Sequence, residues 1–278
     1  MKIVIIPNEK KDKGFQTTKQ VVKELLSHGA DVCMDASLPY PSGAVTKYDD
    51  FPADADVIVV IGGDGSILDA SHCAIRYGVP MLGINLGRLG YMSELAPGEI
   101  SHLARLFDGN YTVEERMLLS IKIEGQPSME RLAVNEVVFS HSNPVELTYL
   151  TLTDGNGASV KYRADGLIFA TPIGSTAYSL SAGGPIVFQD HPSILVTPIC
   201  PHSFFSRSLI FSDREVLMVG CGSQATLNVA VDGRPWGVLN AGARCRVCRS
   251  EKNIKMITFK KENRMNALFS KLRSLDEI

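Results

Sequence analysis

Asp56-Val57-Ile58-Val59-Val60-Ile61-Gly62-Gly63-Asp64-Gly65-Ser66 is the stretch whose reading decides the fold. An unbroken apolar run of this length is the pattern of a strand buried on both faces. It stops at three glycines set around one carboxylate, and a helical pattern follows from Ile67 to Arg76. Glycines at such a point let the backbone approach a ligand closely. Their N–H groups, with the start of the next helix, suit phosphate oxygens. Asp64 is the odd element, because it repels a bare phosphate. Holding a magnesium ion, or drawing a proton from a hydroxyl about to be phosphorylated, would each explain it. The stretch points to phosphoryl transfer.

Outward from it, the first ~115 residues alternate strand and helix patterns. Strands are expected at Lys2–Pro7, Asp31–Met34 and Pro80–Asn85, helices at Thr17–His28 and Ile100–Phe107, and a turn-rich loop over Leu38–Asp54. This is the pattern of a doubly wound parallel sheet with its ligand at the carboxyl ends of the strands. From about Tyr111 the character changes. Strands are expected at Leu118–Glu124, Leu132–Ser140, Val145–Thr153, Ser159–Arg163, Gly166–Thr171, Ile194–Ile199, Val216–Gly220, Ala225–Val231, Arg244–Arg249 and Ile254–Phe259. The fold expected is therefore an N-terminal α/β domain, residues 1–115, followed by a β-rich domain, residues 116–261. A closing amphipathic helix over residues 262–275 is expected to pack back on the first domain.

Composition narrows the classes. A net charge of −2 argues against a general nucleic-acid binder. No apolar run reaches the roughly 18 residues of a membrane span, and the first residues read as a strand rather than a signal peptide. Six cysteines in 278 residues are too sparse for a disulfide framework, so the cytoplasm is the expected compartment. Cys245 and Cys248 lack a second pair, and their spacing in a strand points them to opposite faces, so no metal site is expected. Cys200-Pro201-His202-Ser203 is read as structural, since adjacency in sequence is not triad geometry.

Two further constellations carry chemistry. Asn135-Glu136 interrupts the apolar run Leu132–Phe139, and adjacent residues of one strand face opposite ways, so one of the pair enters a buried site. An amide and a carboxylate suit an adenine edge and ribose hydroxyls; a satisfied polar pair at a strand end is the plainer alternative. Tyr162–Pro172, continued by Ile173-Gly174-Ser175-Thr176-Ala177-Tyr178, leads a strand into a small, hydroxyl-rich turn. Such a turn can hold sugar or phosphate oxygens, and Ala177 leaves room for a flat base beside Tyr178. The chain has no Walker loop and no complete dinucleotide fingerprint, since Leu68 stands at the third glycine position.

Together these motifs resemble the NAD kinase family. The matching residues are Gly62–Ser66, Gly83–Tyr91, Asn135-Glu136, Asp165–Tyr178 and Ser181–Pro185, in the family's order. The resemblance implies transfer of the ATP γ-phosphoryl to the 2′-hydroxyl of the adenosine ribose of NAD, giving NADP. By position it implies Asp64 as the base, flanked by Gly63 and Gly65, with Tyr91 as an aromatic near the substrate. Asn135 and Glu136 are implied to grip the nucleotide, and Arg163 and Asp165 to stand near the nicotinamide. Thr176, Ala177, Tyr178 and Ser181 are implied to line the adenosine, with Arg234 in reach of the ligand. It further implies a divalent cation, Mg2+, carried with ATP, and a homodimer or homotetramer joined through the β-rich domains.

Ser66 and Ile173 stand where the family usually has Thr, so a hydroxyl contact from position 173 is not expected; Asp69 stands where many members are basic. Two rivals share some of these features. A lipid kinase would use the Gly-Gly-Asp-Gly turn but leave Asn135-Glu136 without a role. A nucleotide sensor would bind NAD without turnover.

Overall fold

A computed structural model describes residues 1–40, 45–87, 91–125, 130–142, 148–202, 206–222 and 226–259. The expected helix over 262–275, and residues 88–90 of the Gly83–Tyr91 motif, lie outside the described residues. The chain divides into two compact units, Met1–Glu115 with Ile254–Ile278, and Arg116–Asn253.

The first unit contains β1 (Lys2–Pro7), α1 (Gln16–Ser27), β2 (Asp31–Asp35), β3 (Thr46–Tyr48), β4 (Val57–Gly62), α2 (Asp64–Tyr77) and β5 (Met81–Asn85). The strands pair in parallel in the order β3-β2-β1-β4-β5. Alternate side chains serve opposite layers. Ile3, Ile5, Val57, Val59 and Ile61 pack with Val21 and Leu25 of α1. On the other face, a Cβ at Gly83 would collide with Ile67 of α2. Helices thus cover both faces, and the strand order reverses between β1 and β4. In such sheets the ligand crevice lies beyond the carboxyl ends of the strands at that reversal.

Three local readings are corrected here. Helix α2 begins at Asp64 rather than Ile67, because its first turn, Asp64-Gly65-Ser66, is polar and shows no apolar period. The expected helix Ile100–Phe107 is a 3₁₀ segment, Pro97–Leu106, opening on Pro97-Gly98. The expected loop Leu38–Asp54 contains the three-residue edge strand β3.

The second unit is built from β6 (Thr112–Ile123, entered from the first unit), β7 (Glu130–Ala133), β8 (Glu136–His141), β9 (Thr148–Thr153), β10 (Ser159–Ala164) and β11 (Gly166–Ala170). Then come α3 (Tyr178–Ser181), β12 (Ser193–Ile199), β13 (Leu209–Ser212), β14 (Val216–Cys221), β15 (Leu227–Val231), β16 (Arg234–Leu239) and β17 (Arg244–Thr258). One antiparallel sheet runs β13-β12-β11-β8-β15-β16. Facing strands follow the order β10-β9-β14-β17. Phe139, Phe169 and Val229 from the first set pack with Tyr162, Leu217 and Val247 from the second, so the unit is a β-sandwich.

The run Leu132–Ser140, read as one strand, is two: β7 and β8 part at Val134-Asn135. The two strands expected at Arg244–Arg249 and Ile254–Phe259 are one, β17, because the polar residues Ser250–Asn253 stay extended. Its last residues lie with the first unit, where Met256 pairs in parallel with Met81, rather than with a second domain running to residue 261. Strands β13 and β16 escaped sequence reading. Both are sheet edges, and β16 carries Pro235, which a central strand excludes.

Candidate active site

In the first unit, β4 ends at Gly62 and α2 starts two residues later. That tight passage brings Ser66 back over the strand end: a Cβ on Gly62 would stand 2.6 Å from the Ser66 Cβ. Asn8, just past β1, donates from Nδ2 to the Ser66 Oγ at 2.7 Å, tying the two strand ends at the reversal point together. The hydroxyl that Ser66 keeps is thus used inside the turn. The Lys11 ammonium leans over Gly63, 2.6 Å from where a Cβ there would be. Around Gly65 a Cβ would meet nothing within 4 Å, so this face of the turn is open. A helix start supplies outward N–H groups and partial positive charge there.

Asp64 is held by the chain that follows β5. That segment folds back along the strand, with Glu94 and Leu95 donating their N–H groups to the Gly83 carbonyl. It thereby brings the Tyr91 N–H to Asp64 Oδ2 at 2.6 Å and the Met92 N–H to Oδ1 at 3.2 Å. Each carboxylate oxygen therefore has one fixed donor and further lone pairs to spare. Burial and the nearby Asp64 charge push the Tyr91 phenol up, so it remains a neutral ring.

In the second unit, the break between β7 and β8 has a definite cause. Strand β15 returns into β16 through Asp232-Gly233, both at positive φ (51° and 73°), with Val231 opposite Arg234. This is the two-residue hairpin turn with both central residues left-handed, which Asp-Gly and Asn-Gly favour. It aims the Asp232 carboxylate at the bend. Oδ2 accepts the Val134 N–H at 2.9 Å, and Oδ1 accepts those of Asn135 at 2.8 Å and Glu136 at 3.2 Å. The Asp232 N–H in turn donates to the Glu136 carbonyl at 2.9 Å. Asn135 and Glu136 are therefore not alternating residues of one strand. Asn135 occupies the bend, half-buried, and Glu136 opens β8, only 5% exposed.

The hydroxyl-rich turn docks on this bend. Thr171 donates its N–H to the Asn135 carbonyl at 2.9 Å and its hydroxyl to the Val134 carbonyl at 2.6 Å. Gly174 lies so close that a Cβ would stand 2.8 Å from the Asn135 Cα, so no other residue fits. Ile173 is buried, in keeping with its lost hydroxyl having no outward role. The Tyr178 N–H, at the head of α3, bonds to the Glu136 carboxylate, while the Tyr178 ring stays 45% exposed. Glu136 Oε2 is buried and has no hydrogen-bond partner among the described residues. Burial first, and then the Asp232 charge, push the Glu136 carboxyl up to about 7 against the opposing pull of the Tyr178 N–H. A buried carboxyl with an unused oxygen beside an exposed aromatic ring is a place for a polar, planar ligand.

The structure thus joins Asp64 with Tyr91, and Asn135 and Glu136 with Thr176, Ala177 and Tyr178. Ser181 follows at the exposed end of α3, and Arg234 is exposed at the start of β16. Arg163 and Asp165 are not brought to that group. Gly166 pairs with Ser140 and Ala170 with Glu136, so Asp165 stands at the other end of β11, about 20 Å from Thr171. There it meets other partners: His202 donates its N–H to the Arg163 carbonyl, and Asp165 donates its own to the Ile199 carbonyl. Sequence reading missed Asn8, Lys11 and Asp232. The first two follow β1 at the strand-order reversal, and Asp232-Gly233 lies between two apolar runs as a hairpin signal.

Relatives among known proteins match nearly the whole chain. The family model described as ATP-NAD kinase N-terminal domain matches residues 3–111, and that described as ATP-NAD kinase C-terminal domain matches residues 134–259. The NAD kinase of Ruminiclostridium cellulolyticum is 35% identical over 282 residues, covering 98% of this chain and 97% of that protein. The NAD kinase of Acetivibrio thermocellus is also 35% identical, over 280 residues, with 98% and 97% covered. Among solved structures, an NAD kinase from Archaeoglobus fulgidus in complex with ATP superposes with a TM-score of 0.75 at 27% identity, covering 99% of each chain. Yeast NADH kinase complexed with NADH gives a TM-score of 0.84 at 24% identity, covering 97% of this chain and 86% of that one, and speaks to the fold alone.

Proposed function

The chain belongs to the NAD kinase family, a kinase that phosphorylates NAD, and from that premise we propose how its residues divide the reaction. The donor is ATP, and its γ-phosphoryl passes to the 2′-hydroxyl of the adenosine ribose to give NADP. The observation that carries this reading is Asp64 at the head of α2, its carboxylate fixed by two backbone N–H groups beside an open helix start. Asp64 orients the 2′-hydroxyl and takes its proton as the new O–P bond forms and the bond to ADP breaks. Such a base contributes roughly 10²–10⁴-fold. The larger share of phosphoryl transfer comes from positioning and charge neutralisation. Gly63, Gly65 and the first-turn N–H groups receive phosphate oxygens, with Lys11 as the nearby cation.

Asn135 and Glu136 hold the nucleoside, their side chains toward base edge and ribose hydroxyls. Thr176, Ala177, Tyr178 and Ser181 line it, with the exposed Tyr178 ring as a stacking surface, and Arg234 reaches the ligand from the Asp232 turn. Arg163 and Asp165 serve a different portion of the ligand, since their end of β11 is remote from Glu136 in the same chain. Among the described residues, no group of three His, Cys, Asp or Glu side chains converges on a metal position. A magnesium ion brought in with ATP is the divalent cation of the proposed reaction. It neutralises phosphate charge when bound.

The chain assembles as a homodimer or homotetramer. In support, Val160, Ile210 and Val238 are exposed on the edge strands β10, β13 and β16 of the second unit. Its six cysteines, all free, fit a reducing compartment, and we assign it to the cytoplasm. The purified chain with NAD, ATP and magnesium, coupled to an NADP-specific dehydrogenase, tests the activity. NADP formation that requires ATP is expected; NAD binding without NADP would instead make the chain a sensor.

A further inference from the structure

Both carboxylate oxygens of Asp232 accept from the backbone of another segment, 96 to 98 residues away. Three consecutive N–H groups converge on one buried carboxylate, at the point where two strands would otherwise run on as one. We propose that Asp232 is a positioning residue for nucleotide binding, building the bend that presents Asn135 and Glu136 to the ligand.

The inference rests on the reading of Glu136 as a nucleotide contact and adds what makes that contact possible. Without the three bonds to Asp232, residues 134–136 are free to continue the β7 strand, and adjacent side chains would again point to opposite faces. With them, the strand is interrupted: Asn135 sits half-buried in the bend itself, and Glu136 opens β8 with its buried carboxylate at the Tyr178 N–H. The second consequence is electrostatic. The groups that face the buried Glu136 carboxyl are the Asp232 carboxylate from the β15–β16 turn and the Tyr178 N–H from the head of α3. The Asp232 carboxylate accepts three N–H groups in a fixed geometry, whereas the buried Glu136 carboxyl keeps one oxygen unpartnered among the described residues. The proton therefore goes to Glu136. Below a pH of about 7 Glu136 holds that proton, and its oxygens are poorer acceptors for ribose hydroxyls. The KM for NAD should rise as the pH falls through that region.

The test is Asp232→Asn, assayed with Glu136→Gln and the double variant for kcat and KM of NAD between pH 5.5 and 9. Asn-Gly is the favoured sequence for this turn, so the hairpin is retained. The expected result is a KM about tenfold higher at pH 8, the loss of one charge-assisted hydrogen bond, with kcat within about threefold. The acid limb of the KM profile should move down by about one pH unit, because the like charge beside Glu136 is gone. In both variants carrying Glu136→Gln the limb should be absent. A purely structural Asp232 would leave the limb where it is. An unmoved limb and unchanged KM in Asp232→Asn, with Glu136→Gln still impaired, overturns this inference and leaves the proposed function standing. An unchanged KM in Glu136→Gln overturns the nucleotide role of Glu136 and this inference with it. If Asp232→Asn does not fold, Asp232→Gly, also compatible with positive φ, decides on the same criteria.

Discussion

Two carboxylates in this chain are placed in opposite ways. Asp64 stands half-exposed at the start of a 14-residue helix, with one backbone N–H on each oxygen. Glu136 is buried against another carboxylate, with one oxygen unpartnered among the described residues. The first arrangement keeps a charge available and aimed. The second keeps a group near its ionisation point and ready to be satisfied by a ligand. The difference teaches that burial and fixed partners, not residue type, sort the two carboxylates between chemistry and recognition.

Removing the first carboxylate should have the largest effect. Asp64→Asn keeps the two N–H contacts in part but removes the proton acceptor, and kcat should fall by roughly 10²–10⁴-fold. Steady-state kinetics with saturating ATP checks this; a kcat within a few-fold of wild type would leave the first region without a base.

The two glycine-bearing turns break the comparison in another way. Gly174→Ala forces a Cβ into the Asn135 backbone and should lower the melting temperature by several degrees or more, along with NAD affinity. Gly65→Ala meets open space on a helical turn. It should leave the protein as stable as wild type or up to about 1 kcal/mol more so, yet raise the KM for ATP. Calorimetry and kinetics on both variants separate a turn closed on its own protein from one left open for phosphate.

A pH measurement sharpens the contrast further. Glu136 has its folded value raised from 4.5 to about 7, so the folded state holds a proton that the unfolded state has lost between those values. Its stabilising contribution is complete below about 4.5 and is lost as the pH rises through about 7, roughly 3 kcal/mol in all. Urea unfolding of wild type and Glu136→Gln at pH 5 and pH 8 should show the variant losing less stability across that interval; equal losses would contradict the buried titration. The smallest expected effect is that of Lys11→Ala. An exposed cation near phosphate should change the KM for ATP by a few-fold, less at high salt.

How much of this was legible depends on how local the signal is. Asp64 announces itself because strand, glycines, carboxylate and helix are consecutive, and the parallel, doubly wound sheet follows from the alternation around them. Asn135-Glu136 was visible as a polar interruption, but its geometry was misread, because the residue that bends it lies near position 232. Lys11 reaches Gly63 only through the pairing of β1 with β4. The strand β16 hid behind Pro235, and the unbroken course of β17 behind four polar residues. In each case a local pattern was overridden by a partner distant in sequence.

The most direct test of the division of labour is a side-by-side determination of kcat and of KM for NAD in Asp64→Asn and Glu136→Gln, with ATP and magnesium saturating at pH 8. The account predicts a loss confined mainly to kcat in the first and mainly to KM in the second. A loss of kcat in both with unchanged KM, or a KM effect alone from Asp64→Asn, would contradict it.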